Sequence, residues 1–331
     1  MPTYNWPIIG HKKIASYLQS VIQKNTIGHA YLFYGAPGLG KNLMADLFVK
    51  SILCRSDQSR PCGSCSSCRE LGHSIHPDVV YLEKPEDKKN ISVEEVREAR
   101  SKMQNFSLLH SYKVMIIRDA DALSIGAINA LLKILEEPVG KTIFIFIAED
   151  IKFLPRTILS RLQVIKFLPV SHKEVEDHLV SVGYERHESY DLAHLSLGFP
   201  GRILPFVGHP KNFHEYQEKL SDILKKMSGS INERFSLVEE LAGQNNSEAT
   251  KDKVREFLQI LASLVRDVLL LRSGEHHLVA HHFLERDFGP LVSRYSSAKL
   301  TQILSDIKKT SRLLGQNINL RLALENLILE F

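Results

Sequence analysis

The chain has 331 residues, 44% of them apolar, with 42 basic and 38 acidic side chains; this is ordinary for a soluble globular protein and leaves room for two or three domains. A formal net charge of +4 is too balanced to make nucleic-acid binding the default and leaves only a local basic patch for that purpose. The most continuous apolar run, IFIFIA at 143–148, is far shorter than the about 20 residues that span a bilayer, and no N-terminal segment has the pattern of a secretory signal, so a cytoplasmic protein is expected.

The first strand-like run is AYLFY at 30–34. It leads directly into GAPGLGKN, which fits G-x-x-x-x-G-K with Gly35, Gly40 and Lys41, with Gly38 between them, and opens the helical stretch NLMADLFVKSIL. A strand, a glycine loop and a helix in this order let backbone amides at the helix N-terminus converge on phosphate oxygens. In a working ATPase the residue after the lysine is Ser or Thr, whose hydroxyl helps to hold Mg²⁺. Here it is Asn42.

All four cysteines follow within residues 54–68. Cys54, Cys62, Cys65 and Cys68 are separated by seven, two and two residues, and Gly63 permits a tight turn between them. Cysteines this close cannot staple distant parts of a large fold, and four thiolates in one short loop match the tetrahedral all-sulfur preference of structural Zn²⁺. Free thiols or an iron–sulfur cluster are the other readings of the same spacing. His73 and His76 lie near, but four cysteines already saturate a metal, so both are read as surface or turn residues.

DVVYL (78–82), KVMIIR (113–118), TIFIFIA (142–148) and QVIKF (163–167) continue the strand series. Continuous apolarity suggests strands covered on both faces, hence a parallel sheet with crossover helices and an α/β domain. A helix is expected over 92–104, where Ser92 and Glu95 form a capping box. Another is expected over 125–137, with Ile128, Leu131, Leu132 and Leu135 on one face and Pro138 as its stop.

The strand KVMIIRDADALS is where the second magnesium-binding group, an Asp followed by a catalytic Glu, would stand. Its register puts Arg118 in the Asp position and Asp119 in the Glu position. A guanidinium there opposes Mg²⁺, since like charges a few Å apart repel by several kcal/mol unless well solvated. A shifted register, with Asp119 or Asp121 as the ligand, keeps an ATPase reading open.

Beyond Pro169 no strand-like run appears. Two or three short helices are expected over 171–208, punctuated by GFPG, and long amphipathic helices over 213–331. The expected division is therefore 1–170, 171–209 and 210–331.

Taken together, the phosphate loop running into a four-cysteine loop, then NALLKILEEP (129–138) and LPRTILSR (154–161), resemble the clamp-loader subunits of bacterial DNA polymerase III, an AAA+ family. The degenerate magnesium residues resemble the delta-prime type within it rather than the tau/gamma motors. The resemblance implies an AAA+ P-loop domain with a zinc loop, a small helical lid and an all-α collar that joins a hetero-oligomeric ring with tau/gamma and delta subunits. That ring would load a sliding clamp onto primed DNA.

The resemblance also implies residue roles. Arg161 matches the arginine finger projected into a neighbour's ATP site. Arg202, in GFPGR, matches a lid arginine that senses nucleotide, and NWPIIGH at 5–11 resembles the adenine-wrapping segment. Glu149 stands where a polar sensor is expected and would repel phosphate. Either ATP or ADP would then bind weakly at Gly35, Gly38, Gly40, Lys41 and Asn42, without hydrolysis, or the loop would stand empty. An active tau/gamma-like motor is the rival reading, and a free-standing zinc-dependent DNA-binding protein a third. Read from its chemistry alone, Arg161 is a surface salt-bridge partner.

Overall fold

The computed structural model describes residues 2–85, 87–103, 112–138, 140–242, 247–314 and 319–331. The chain forms two compact units, one of Met1–His178 with Gly198–Gly201, the other of Leu179–Leu197 with Arg202–Phe331.

In the first unit the five apolar runs are all strands: β1 (Ala30–Tyr34), β2 (Val79–Leu82), β3 (Lys113–Ile117), β4 (Thr142–Ala148) and β5 (Gln163–Lys166). They pair in parallel in the order β2-β3-β4-β1-β5, which gives the parallel sheet that the resemblance implies. β3 and β4 are buried along their whole length, as their continuous apolarity requires. QVIKF departs from that reading. β5 pairs only with β1, and Gln163, Val164 and Lys166 are exposed, so this is an edge strand and not one covered on both faces.

Helices α1 (Lys12–Gln23) and α2 (Lys41–Leu53) cover one face, where Leu18, Phe33, Phe48 and Ile145 share a core. The short α3 (Ser66–Gly72) lies within the cysteine loop. The other face is covered by α4 (Val93–Met103) and α5 (Ile125–Glu136), with Leu32, Val96, Leu131 and Phe146 between. α6 (Arg156–Leu159) is a single turn. α1, absent from the sequence expectations, is held by Ala15, Leu18, Val21 and Ile22 on one buried stripe. On α5 the expected Ile128, Leu131 and Leu135 are buried together with Ile134, while Leu132 is only partly covered.

The start of α4 is set by the expected capping box. The Ser92 N–H donates to Glu95 Oε2 at 2.6 Å, and the Glu95 N–H donates to Ser92 Oγ at 3.4 Å. The helix is described to Met103; Gln104, its expected end, lies outside the described residues. Ser92→Ala is expected to lower stability by about 1 kcal/mol, read as a shifted urea midpoint at constant slope; an unchanged midpoint would show the cap to be idle.

α7 (His172–Ser181) crosses the division between the units. The second unit then runs through α8 (Arg186–Ser196), α9 (Pro210–Ser228), α10 (Ile231–Ala242), α11 (Glu248–Arg272), α12 (Gly289–Arg294), α13 (Ser297–Leu313) and α14 (Leu320–Ile328), with no strand among its described residues. Its core is built by Leu224, Leu261, Leu264, Ile303 and Leu324. Residues 243–246 and 315–318 of the expected helical stretch lie outside the described residues. Among the described residues no helix is long and apolar enough to cross a membrane.

Candidate functional site

The glycine loop sits between β1 and α2, as the sequence implies. Gly35, Gly38 and Gly40 have φ of 146°, 80° and 83°, conformations that L side chains rarely adopt. At Gly35 space is limiting as well, because a Cβ there would lie 2.5 Å from the Phe167 carbonyl oxygen. The Gly38 carbonyl accepts the Gly201 N–H at 2.8 Å, so the GFPG segment packs on the loop. Further upstream, Trp6 of NWPIIGH donates from Nε1 to Ser51 Oγ of α2 at 2.9 Å, and the His11 ring lies 4.8 Å from that of Phe167.

Lys41 is 8% exposed and turns back into its own loop, donating from Nζ to the Gly35 carbonyl and to the Ala36 carbonyl at 2.9 Å. Burial lowers its pKa, opposed by the charges of Glu149 and Asp121. Those two residues are linked, the Glu149 N–H donating to Asp121 Oδ1 at 3.3 Å. Asn42 is exposed in the first turn of α2. The lysine ammonium is thus held by carbonyls of its own loop, within the field of these two carboxylates.

Arg118 follows the last residue of β3. Its Nη1 lies 2.6 Å from Glu83 Oε1, just beyond β2, and its Nη2 lies 3.4 Å from Asp46 Oδ1, one turn along α2 from Asn42. The guanidinium also sits 5.1 Å from the centre of the Tyr81 ring. Burial raises the Asp46 pKa while Arg118 lowers it, so the guanidinium supplies the counter-charge that this half-buried carboxylate needs. Asp46 and Glu83 were not among the sequence candidates. Nothing local marks them, because they are 72 and 35 residues from Arg118. Asp119 has φ of 53° and is exposed in the turn that follows.

The cysteine loop closes on itself. The Sγ atoms of Cys54, Cys62, Cys65 and Cys68 all lie within 4.8 Å of one another, with Cys54 and Cys68 buried. Gly63 takes φ of 73°, giving the turn between Cys62 and Cys65. Backbone N–H groups aim at the sulfurs: Ser56 at Cys54 (3.5 Å), Cys65 at Cys62 (3.4 Å) and Cys68 at Cys65 (3.4 Å). The N–H groups of Cys65 and Ser64 pull the Cys62 thiol down to about 6, whereas burial pushes Cys68 up to about 12. Four sulfurs gathered about one centre, with amide donors on their outer side, suit a tetrahedral cation with sulfur ligands. His76, expected at the surface or in a turn, stands in a turn, its carbonyl accepting the Val79 N–H at 3.1 Å, but not at the surface. It is 3% exposed, with Nδ1 accepting the Asp78 N–H at 3.2 Å; His73 is exposed as expected.

Arg161 follows α6 with its side chain 36% exposed. Nη2 lies 2.7 Å from Glu136 Oε1, and Nη1 donates to the Thr157 carbonyl at 2.7 Å. Its side-chain bonds thus go to the end of α5 and its own turn, outside the glycine loop. The pair with Glu136 is the surface salt bridge that residue chemistry alone allows. Arg202 belongs to the second unit and is exposed.

Family models described as "DNA polymerase III, delta subunit" and "DNA polymerase III, delta subunit, C terminal" match residues 10–171 and 214–331. The DNA polymerase III subunit delta' of Bacillus subtilis (strain 168) is 27% identical over 319 residues, covering 96% of this chain and 94% of that protein. The delta' subunit of Pseudomonas aeruginosa is 39% identical over 134 residues, covering 40% and 41% of the two chains. The tau subunit of B. subtilis is 34% identical over 169 residues, 51% of this chain and 30% of that protein. Among solved structures, a DNA polymerase III gamma subunit-related protein from Thermotoga maritima superposes with TM-score 0.50 at 16% identity, covering 94% of this chain and 97% of that one, which shows a shared fold. The chain therefore belongs to the clamp-loader family of DNA polymerase III subunits, and it resembles the delta-prime subunits of that family over nearly its whole length.

Proposed function

We propose that this chain is a non-hydrolysing, stator-like clamp-loader subunit. It would supply Arg161 in trans to the ATP held by an adjacent tau/gamma motor subunit, and with a delta subunit in the same hetero-oligomeric ring would help to load the sliding clamp onto primed DNA in the cytoplasm. The reading divides the chain into an AAA+ domain (1–170), a lid (171–209) and a collar (210–331). The separation of the two family matches, ending at 171 and beginning at 214, supports that division.

The observation that carries the proposal is the Arg118 ion pair with Asp46 and Glu83. A guanidinium at the end of β3 occupies, by the family resemblance, the place of the metal-binding Asp. It also draws off the α2 carboxylate one turn beyond Asn42. Mg²⁺ brought to this point would meet a cation already bound by two carboxylates. ATP or ADP could still rest on the loop amides of Gly35, Gly38, Gly40, Lys41 and Asn42, with Arg202 as the lid arginine, and leave uncleaved. The four cysteines would hold a structural Zn²⁺; when bound, the ion closes the loop and supplies no open coordination position for chemistry.

The purified chain is expected to show no ATP turnover above background, and Lys41→Ala is expected to change nothing. Turnover that disappears on Lys41→Ala would instead establish the rival motor reading.

A further inference from the structure

Within the second unit lies an open cavity of about 820 Å³ whose walls come from the end of α8, the segment after it, α9, α11 and α13. Its size is that of pockets that enclose a small organic ligand. Two arginines, Arg202 and Arg266, line it with His281, and no Asp or Glu lines it among the described residues. We propose that this cavity is a binding site for a small phosphate-bearing molecule with an aromatic body, of the nucleoside monophosphate class, separate from the glycine loop.

The cationic side is built and not merely present. Asp267 of α11 is fully buried. Its carboxylate accepts the Ala280 N–H at 3.0 Å and the His281 N–H at 2.9 Å, and lies 2.7 Å from His281 Nδ1 and 3.3 Å from Arg266 Nη1. Arg266 Nη2 donates to the Leu278 carbonyl at 3.1 Å. The carboxylate thus fixes the Arg266 guanidinium and the His281 imidazole from behind. It holds the imidazole by Nδ1, so Nε2 is the ring nitrogen left for a ligand, and two of the five guanidinium donors of Arg266 are used. Donors oriented in this way are suited to an oxyanion with several acceptor atoms.

The opposite character is supplied by Phe206 and Tyr216, whose ring centres are 5.0 Å apart at 40°, and by Leu304 of α13. An aromatic wall beside a cationic one favours a flat, apolar ring linked to phosphate over inorganic phosphate alone. Burial, and then the charges of Glu256 and Asp267, push the Tyr216 phenol up to about 12, against the lowering charge of Arg202, so at neutral pH it is a neutral hydroxyl donor. Glu256 itself is paired with Lys219 at 2.7 Å.

Calorimetric titration of the full chain with AMP and, separately, with inorganic phosphate tests the assignment. Leu304→Trp is the discriminating variant, since Leu304 lines this cavity and is no part of the glycine loop, whose amides cradle α- and β-phosphates. AMP is expected to bind more tightly than phosphate. Arg202→Ala is expected to weaken AMP roughly tenfold or more; because the lid reading also assigns this arginine to the loop, Leu304→Trp decides between the two sites. Leu304→Trp is expected to block it by filling the cavity, and Lys41→Ala to leave it unchanged. Melting curves of the variants separate lost binding from lost folding. Absence of AMP binding, equal affinity for phosphate and AMP, or loss on Lys41→Ala with retention in Arg202→Ala and Leu304→Trp would each overturn the proposal. Because the loop plays no part in this binding, failure here leaves the stator reading standing, and failure of that reading leaves this one.

Discussion

Replacing Arg161 by alanine is expected to lower ATP hydrolysis at the neighbouring motor site of the assembled complex by about 10³-fold or more, the range over which arginine fingers act. The fall in total turnover is then bounded by the share of that one site, so single-site measurement or a stoichiometrically defined assembly is needed. The isolated chain is expected to notice little. Arg161 gives up one half-exposed pair with Glu136 and a bond to a carbonyl of its own turn, and exposed ion pairs contribute about 0.2–1 kcal/mol. This contrast separates a role in trans from a structural one: a lower melting temperature with unchanged assembly-stimulated hydrolysis would leave Arg161 as a surface salt bridge. Glu136→Gln is the companion variant, since it frees the guanidinium without removing it and is expected to keep hydrolysis intact.

The second large effect is expected at the cysteine cluster. The wild-type chain should carry one metal ion, measured by elemental analysis of dialysed protein, and Cys68→Ser should carry none. Cys68 is buried with its thiol pushed up to about 12 by burial, so without a cation it must remain protonated among three other sulfurs. With a cation it can ionise at neutral pH, because the charge it gains is neutralised at the centre of the cluster. Loss of that centre removes the one cross-link that ties the start of the loop at Cys54, on the end of α2, to Cys68 on α3. The cost should be about 3 kcal/mol or more, which in a unit of this size lowers Tm by roughly 6–12 °C. Chelator treatment of the wild type should reproduce the shift. Metal-free protein melting at the same temperature would show that the cluster carries no such ion.

The two outcomes report on different parts of one argument. Metal loss tests whether the loop is held as a rigid element of the first unit. Loss of Arg161 tests whether a surface of that unit works on another chain. Either can fail without the other.

Much of this was legible in the residues. All five strands, the glycine loop and the capping box at Ser92 are written in local pattern, because apolar periodicity, positive φ at Gly35, Gly38 and Gly40, and side-chain caps act over a few neighbouring positions. The cysteine cluster was legible for the same reason, its four ligands lying within residues 54–68. That a guanidinium follows β3 at residue 118 was visible in the sequence. Folding alone revealed what neutralises it. Glu83 follows β2, and the parallel pairing of β2 with β3 brings it beside residue 118, while Asp46 is supplied by α2 packed on the sheet. The exposure of β5, the burial of His76 and the pairing of Asp267 with His281 were likewise decided by packing, since each depends on what covers the residue and not on its neighbours in sequence. Short-range chemistry thus determined the elements and the motifs, while the charge partners that give those motifs their sense had to wait for the fold to bring them within a few ångströms.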